Sequence, residues 1–134
     1  MKTLKLSRGQ INKVWNLLDV PLHGEEIRQR NTFIKAINPI VDKVEETRKA
    51  ILSKHSNKNE DGTVKFVNGL YDIPQENREA SLKDLTEDLA TMEELELDKA
   101  TIGAVKSILS KSTKELKIEE GAVYDAILTA LENA

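Results

Sequence analysis

The stretch TVKFVNGLYDI, residues 63–73, decides how the rest of the chain is read. An Asn-Gly pair between apolar and aromatic residues is a strong short-range hairpin signal, because a two-residue type I′ loop needs positive φ at both central positions. Such a turn pairs Val67 with Leu70, Phe66 with Tyr71, Lys65 with Asp72 and Val64 with Ile73. Strand side chains alternate, so Val64, Phe66, Tyr71 and Ile73 share one face. Val67, Leu70 and the Lys65–Asp72 ion pair share the other. An isolated hairpin is marginal in water. Its first face is therefore expected to be covered by helices or by a partner.

On either side of the hairpin the pattern turns helical. Upstream, from about Glu25 to Lys54, Ile34, Ile37, Val41, Val44 and Ile51 recur at a 3-4 spacing, with Pro39 inside the run. Proline removes a backbone bond and clashes with the preceding turn. A kink or a short break is expected at Pro39, and the unbroken apolar register favours a kink. Downstream, Pro74 opens a second helix in which Leu82, Leu85, Leu89 and Met92 space 3-4-3. The hairpin turns the chain back, so the two helices are expected to lie antiparallel. The first is rich in Lys and Arg, the second in Asp and Glu. Residues 1–58 hold 12 Lys+Arg and 6 Asp+Glu (+6), and residues 59–134 hold 8 and 17 (−9). Pairing the two helices would neutralise this split within the molecule.

Further out, TLKL (3–6) and ELELD (94–98) both alternate. Leu95 and Leu97 face one way and Glu94, Glu96 and Asp98 the other, and Lys5 opposite an acidic strand favours pairing. Ser7 and Gln10 have the capping-box form. Ile11, Val14, Trp15 and Leu18 then mark a helix, with Trp15 expected as a core anchor. Two helices finish the chain. One follows Asp98 as N-cap with Ile102, Val105, Ile108 and Leu109. The other runs from about Glu119 with Val123, Tyr124, Ile127, Leu128 and Leu131. KSTKELK (111–117) is the loop between them. The expected fold is mainly α with minor β (α+β), a single domain over residues 1–134. It is an antiparallel long-helix pair linked by a β-hairpin, plus short helices and a small two-stranded pairing.

Composition narrows the chemistry. Of the 134 residues 39% are hydrophobic, 32% charged and 4% aromatic, so the core must be mainly Leu, Ile and Val. There is no Cys, which excludes disulfides, thiolate metal sites and cysteine nucleophiles. MKTLKLSRGQ lacks an apolar signal core, and no run approaches the ~18 residues of a membrane span. No Gly-rich phosphate loop, HExxH or nucleophile elbow is present. His23 and His55 stand apart and are read as solvated surface residues. Glu94, Glu96 and Asp98 are the nearest thing to a cation site. Alternate strand residues stand ~6.6–7 Å apart, too far for direct chelation, so the row is read as charges that discourage edge-to-edge association. Acids interrupt the basic helix and stacking aromatics are missing, so nucleic acid is not expected as a partner. No catalytic residue, cofactor or metal is expected.

The chain resembles a family of small proteins encoded by phages and prophages of Gram-positive bacteria, with genes near the tail and lysis genes. LKLSRGQINKV (4–14), Arg30, FIKAI (33–37), the Glu60-Asp61-Gly62 turn, GLYDI (69–73), the acidic alternating stretch and AVYDAI (122–127) carry the resemblance. That family has no assigned activity, so the resemblance implies a setting: the bacterial host cytoplasm or the virion. The function expected there is a non-enzymatic accessory protein acting through protein–protein interaction, in tail or virion assembly or as a minor virion component. The alternative is an inhibitor of a host or anti-phage defence protein, presenting an acidic, nucleic-acid-mimicking face. The partner is then a phage structural protein or a host protein, and a 3-4 stripe serves a homo-oligomer as well as an intramolecular hairpin. The candidate interaction surface is the hairpin tip, Val67, Asn68, Gly69 and Leu70, with the outer acids Glu94, Glu96 and Asp98. Val67 and Leu70 either pack on a neighbouring helix or stand exposed as an anchor.

Overall fold

Alternation at the two distant segments builds the first sheet. In the computed structural model, which describes all 134 residues, β1 (Lys2–Ser7) pairs antiparallel with β4 (Met92–Leu97). Leu4 lies opposite Leu95 and Lys5 opposite Glu94. Leu4, Leu6, Leu95 and Leu97 point into the core, as the period of two requires. Ser7 then caps α1 (Arg8–Leu18). The Gln10 amide donates to its Oγ at 3.2 Å, and the Gln10 side chain accepts from the Ser7 amide at 2.9 Å.

α2 runs unbroken from Glu25 to His55, so Pro39 does not end the helix. Asn68 (φ 53°) and Gly69 (φ 77°) form the expected left-handed turn between β2 (Phe66–Val67) and β3 (Leu70–Tyr71). The chain returns through α3 (Gln75–Leu89) to β4, then closes with α4 (Lys99–Lys111) and α5 (Ile118–Glu132).

One hydrophobic core of 16 buried residues is shared by β1, α1, the N-terminal half of α2, β4, α4 and α5. α2 reaches it through Phe33 and Ile37. Between Asn38 and Glu94 only the half-buried Ile40 and Val41 pack against it, and Val44 is buried outside it. The second half of α2, the hairpin and α3 therefore form an arm projecting from a body. α2 has 31 residues, a rod of about 46 Å. Two polar contacts fasten the ends of the body helices. Arg30 Nη1 donates to the carbonyls of Leu18 (3.0 Å) and Val20 (2.9 Å), serving the C-terminus of α1, whose last turn holds no basic residue. The Tyr124 hydroxyl donates to the Leu109 carbonyl at 2.8 Å near the end of α4.

Three expectations about facing are corrected. Trp15 is 43% exposed and Leu17 takes the core position. On a 100° wheel Ile11, Val14, Leu17 and Leu18 span an arc of about 120°, and Trp15 falls outside it. On α3 the only buried side chain is Ser81, whereas Leu82 is 65% and Leu89 38% exposed. Small and polar residues thus face α2, and the apolar seam is turned outward. Third, Val64 does not pair with Ile73, because it bridges to Lys58. Asn57 enters at the base of the hairpin instead. Its amide donates to the Asp72 carbonyl (2.8 Å), and its own carbonyl accepts from the Lys65 amide (2.9 Å).

Candidate functional site: the arm, its tip and its base

At the tip, three apolar side chains around the turn are exposed. Phe66 is 53% exposed, Val67 48% and Leu70 71%. Of the face expected to be covered, Val64, Tyr71 and Ile73 are half-buried and only Phe66 stands exposed. The Phe66 and Tyr71 rings pack on each other with centroids 4.7 Å apart, and neither strand packs extensively on a helix. A two-residue strand pair has little surface with which to reach back toward the body. The Lys65–Asp72 ion pair forms at 4.0 Å as expected.

The outer acids lie elsewhere. α3 has 15 residues, about 22 Å of helix, and the tip and β4 sit at its opposite ends. Glu94 pairs with Lys5 at 3.7 Å, with both side chains about two-thirds exposed. Glu96 accepts from the Thr3 hydroxyl at 2.6 Å. Asp98 is the N-cap of α4 without a side-chain capping bond. The structure therefore does not bring tip and acids into one surface. No group of three or more His, Asp or Glu side chains is placed to share a metal ion, and no helix is long and apolar enough to cross a membrane.

The base of the arm holds the most consequential polar cluster. Arg8 Nε donates to Glu93 at 2.9 Å and Nη1 to Asp88 at 2.5 Å, with side-chain exposures of 10%, 20% and 13%. The Arg8 amide also donates to the Thr91 carbonyl. One residue thus ties the start of α1 to the end of α3 and the start of β4. The hydrogen bond to Glu93 raises the guanidinium pKa above its ordinary value, against the opposing pull of burial, and Asp88 adds to the rise. Gly9, next in sequence, lets α3 approach closely: a Cβ there would stand 3.3 Å from the Leu89 carbonyl oxygen. The sequence held one signal for Arg8. A cation in the first turn opposes the helix dipole, so a nearby anion is needed to offset it.

Where α2 ends, His55 Nε2 and Asp84 Oδ2 are 2.8 Å apart, and Lys54 approaches the same oxygen at 3.7 Å. His55 is thus corrected from a solvated surface residue to an interhelical contact, its side chain 12% exposed. The His55 hydrogen bond lowers the Asp84 pKa below the ordinary 3.8, with Lys54 contributing further. A carboxyl with a depressed native pKa adds stability above its unfolded value, and that stability fades as pH falls through the native one. The Tm deficit of Asp84→Asn relative to wild type should therefore shrink steadily as pH falls below ~4. A deficit unchanged at pH 2 would show that the carboxylate charge is not what matters.

The remaining basic residues of α2 are not neutralised by α3. Arg28, Lys35, Lys43 and Lys49 make no ion pair, and Arg48 pairs within its own helix. The charge halves meet through Lys5, Arg8 and the end of α2, not along the helix pair. Comparison with protein-family models, with curated proteins and with solved structures finds no match for this chain.

Proposed function

We propose that this chain is a non-enzymatic binding protein that engages another protein through the tip of its arm. The observation that carries this reading is the exposure of Phe66, Val67 and Leu70 around a turn fixed by Asn68 and Gly69. A protruding turn of this kind can seat a few apolar side chains in a partner's pocket. Such central apolar anchors supply most of the energy of many interfaces. In the setting implied by the family resemblance, the partner is a phage structural protein and the role is accessory, in tail or virion assembly. The reading as an inhibitor with an acidic mimic face has less support, because Lys5 pairs with Glu94 and Thr3 bonds Glu96.

The test is the double variant Val67→Ser with Leu70→Ser. Both residues are exposed, so Tm should move by no more than about 2 °C. A tagged chain recovered from phage-producing Gram-positive cells should bring down a structural protein that the double variant loses. Retention of the same partner by the variant would refute the tip as the anchor. Recovery of a host protein that the variant loses would favour the inhibitor reading.

A further inference from the structure

Of the six glycines, two follow Asp or Asn: Asp61-Gly62 and Asn68-Gly69. In each pair a glycine amide stands beside a side-chain carbonyl carbon, with no Cβ on the glycine to screen it. That arrangement permits an internal reaction, attack of the glycine nitrogen on the side-chain carbon. The structure separates the two pairs. The Gly62 amide donates to the Asn59 carbonyl at 2.9 Å. Asp61 Oδ1 accepts from the Thr63 amide at 3.0 Å and from the Thr63 hydroxyl at 2.6 Å. The hydroxyl bond, with the amide bond behind it, holds the Asp61 pKa below its ordinary 3.8, and a carboxylate is a poor electrophile. At the hairpin turn neither group is held. The Gly69 amide donates to no carbonyl, and a Cβ at Gly69 would meet open space. Every residue from Lys65 to Leu70 is exposed.

We propose that Asn68 is a site of spontaneous covalent modification, converted through a cyclic imide to aspartate and isoaspartate while the body stays folded. The Gly69 amide gives its proton to solvent, and its nitrogen bonds to Asn68 Cγ. The Cγ–Nδ2 bond breaks, and Nδ2 takes up a proton and leaves as ammonia. Water then adds to one of the two imide carbonyls, and the bond from that carbonyl to nitrogen breaks. Opening at Cγ leaves aspartate with the original backbone. Opening at the main-chain carbonyl leaves isoaspartate, whose backbone runs through Cβ and Cγ. Water is the only reagent consumed. The attack requires Asn68 to rotate about its Cα–C bond, out of the turn. β2 and β3 have two residues each, and so short a ladder opens at low cost. Either product places a carboxylate between Val67 and Leu70. Isoaspartate also adds a backbone atom to a turn whose register depends on positive φ at Asn68 and Gly69. The apolar tip therefore has a finite lifetime. The inference rests on the chemistry of the turn and stands whether or not the tip anchors a partner.

The experiment incubates the purified chain and its Asp61→Asn variant at mildly alkaline pH and maps their peptides by mass spectrometry, with isoaspartate resolved from aspartate by retention time. In wild type, exchange of NH2 for OH should appear at Asn68 well before it appears at any of the eight other asparagines, none of which precedes Gly. Asp61 should gain no isoaspartate over the same period. In Asp61→Asn both loops carry Asn-Gly, yet position 61 should convert at least about fivefold more slowly than Asn68, because a hydrogen bond to the Gly62 amide must first break. The native chain should convert at Asn68 within about 30-fold of its rate in urea, since loop tips open at near-zero free energy. Unchanged circular dichroism will show that the body stays folded meanwhile. Conversion at Asn68 no faster than at the other asparagines overturns the proposal. A native rate further below the unfolded one, or a smaller difference between the two loops of the variant, overturns it as well.

Discussion

Phe33→Ala should cost about 3–5 kcal/mol of unfolding free energy, the range found for deleting a fully buried aromatic side chain. Phe33 is 0% exposed, and with Ile37 it is what α2 contributes to the 16-residue core. Removing the ring loses its transfer free energy and leaves a cavity that a long helix cannot collapse into without shifting its whole axis. The urea midpoint should fall with little change in slope, and Tm should drop by roughly 10–15 °C. Trp15→Ala is the internal control. Its side chain is larger, but at 43% exposure it should cost well under half as much. A Phe33→Ala loss below about 1.5 kcal/mol, or a Trp15→Ala loss that exceeds it, would mean that α2 is not seated on the core as described.

Arg8→Met should be the most damaging change outside the apolar core, at about 2–3 kcal/mol. The figure lies below that for a fully buried ion pair because Asp88 and Glu93 keep 13% and 20% exposure, and water screens part of the lost attraction. Methionine preserves most of the packing of the stem, so the loss reports two carboxylates left close together without their shared cation. The effect should be local as well as global. Amides at the end of α3 and the start of β4 should exchange hydrogen faster than those of α4, because the arm base opens before the body does. Lysine should rescue only in part, since a point charge cannot serve Glu93 and Asp88 with separate donors as the guanidinium does. Adding Asp88→Asn and Glu93→Gln to Arg8→Met should recover much of the loss by removing the uncompensated charge. If Arg8→Met changes neither stability nor exchange at the arm base, the clamp has no energetic role.

Much of the fold was legible because its signals are local. The hairpin register followed from Asn68-Gly69, since positive φ at two successive positions is a property of the turn itself. The Ser7–Gln10 capping box and the buried quartet Ile102, Val105, Ile108 and Leu109 of α4 also read directly. So did the β1–β4 pairing, although its strands are far apart in sequence: two short alternating segments with opposite charges had no other candidate neighbour. The candidate tip was visible as well, but not its freedom from cover. A sequence states that Phe66 and Leu70 are apolar, not whether a helix reaches them. Arg8 was missed because its partners lie 80 and 85 residues away.

By itself, the sequence determined which segments are helices, where the chain turns back, how the strands register and which residue types are available to be buried. These depend on dihedral preferences, caps and periodicities acting over a few residues. Only the tertiary structure decided which side of each helix looks inward. Leu17 rather than Trp15, and Ser81 rather than Leu82, face the interior, a choice between positions one or two residues apart on the same helix. On the helical wheel the stripe read for α1 and the arc that is buried are centred about 50° apart, so a modest rotation decides between them. The rotation is fixed by where the other elements stand and by the polar groups, Asp88 and His55 among them, that must meet partners across the arm.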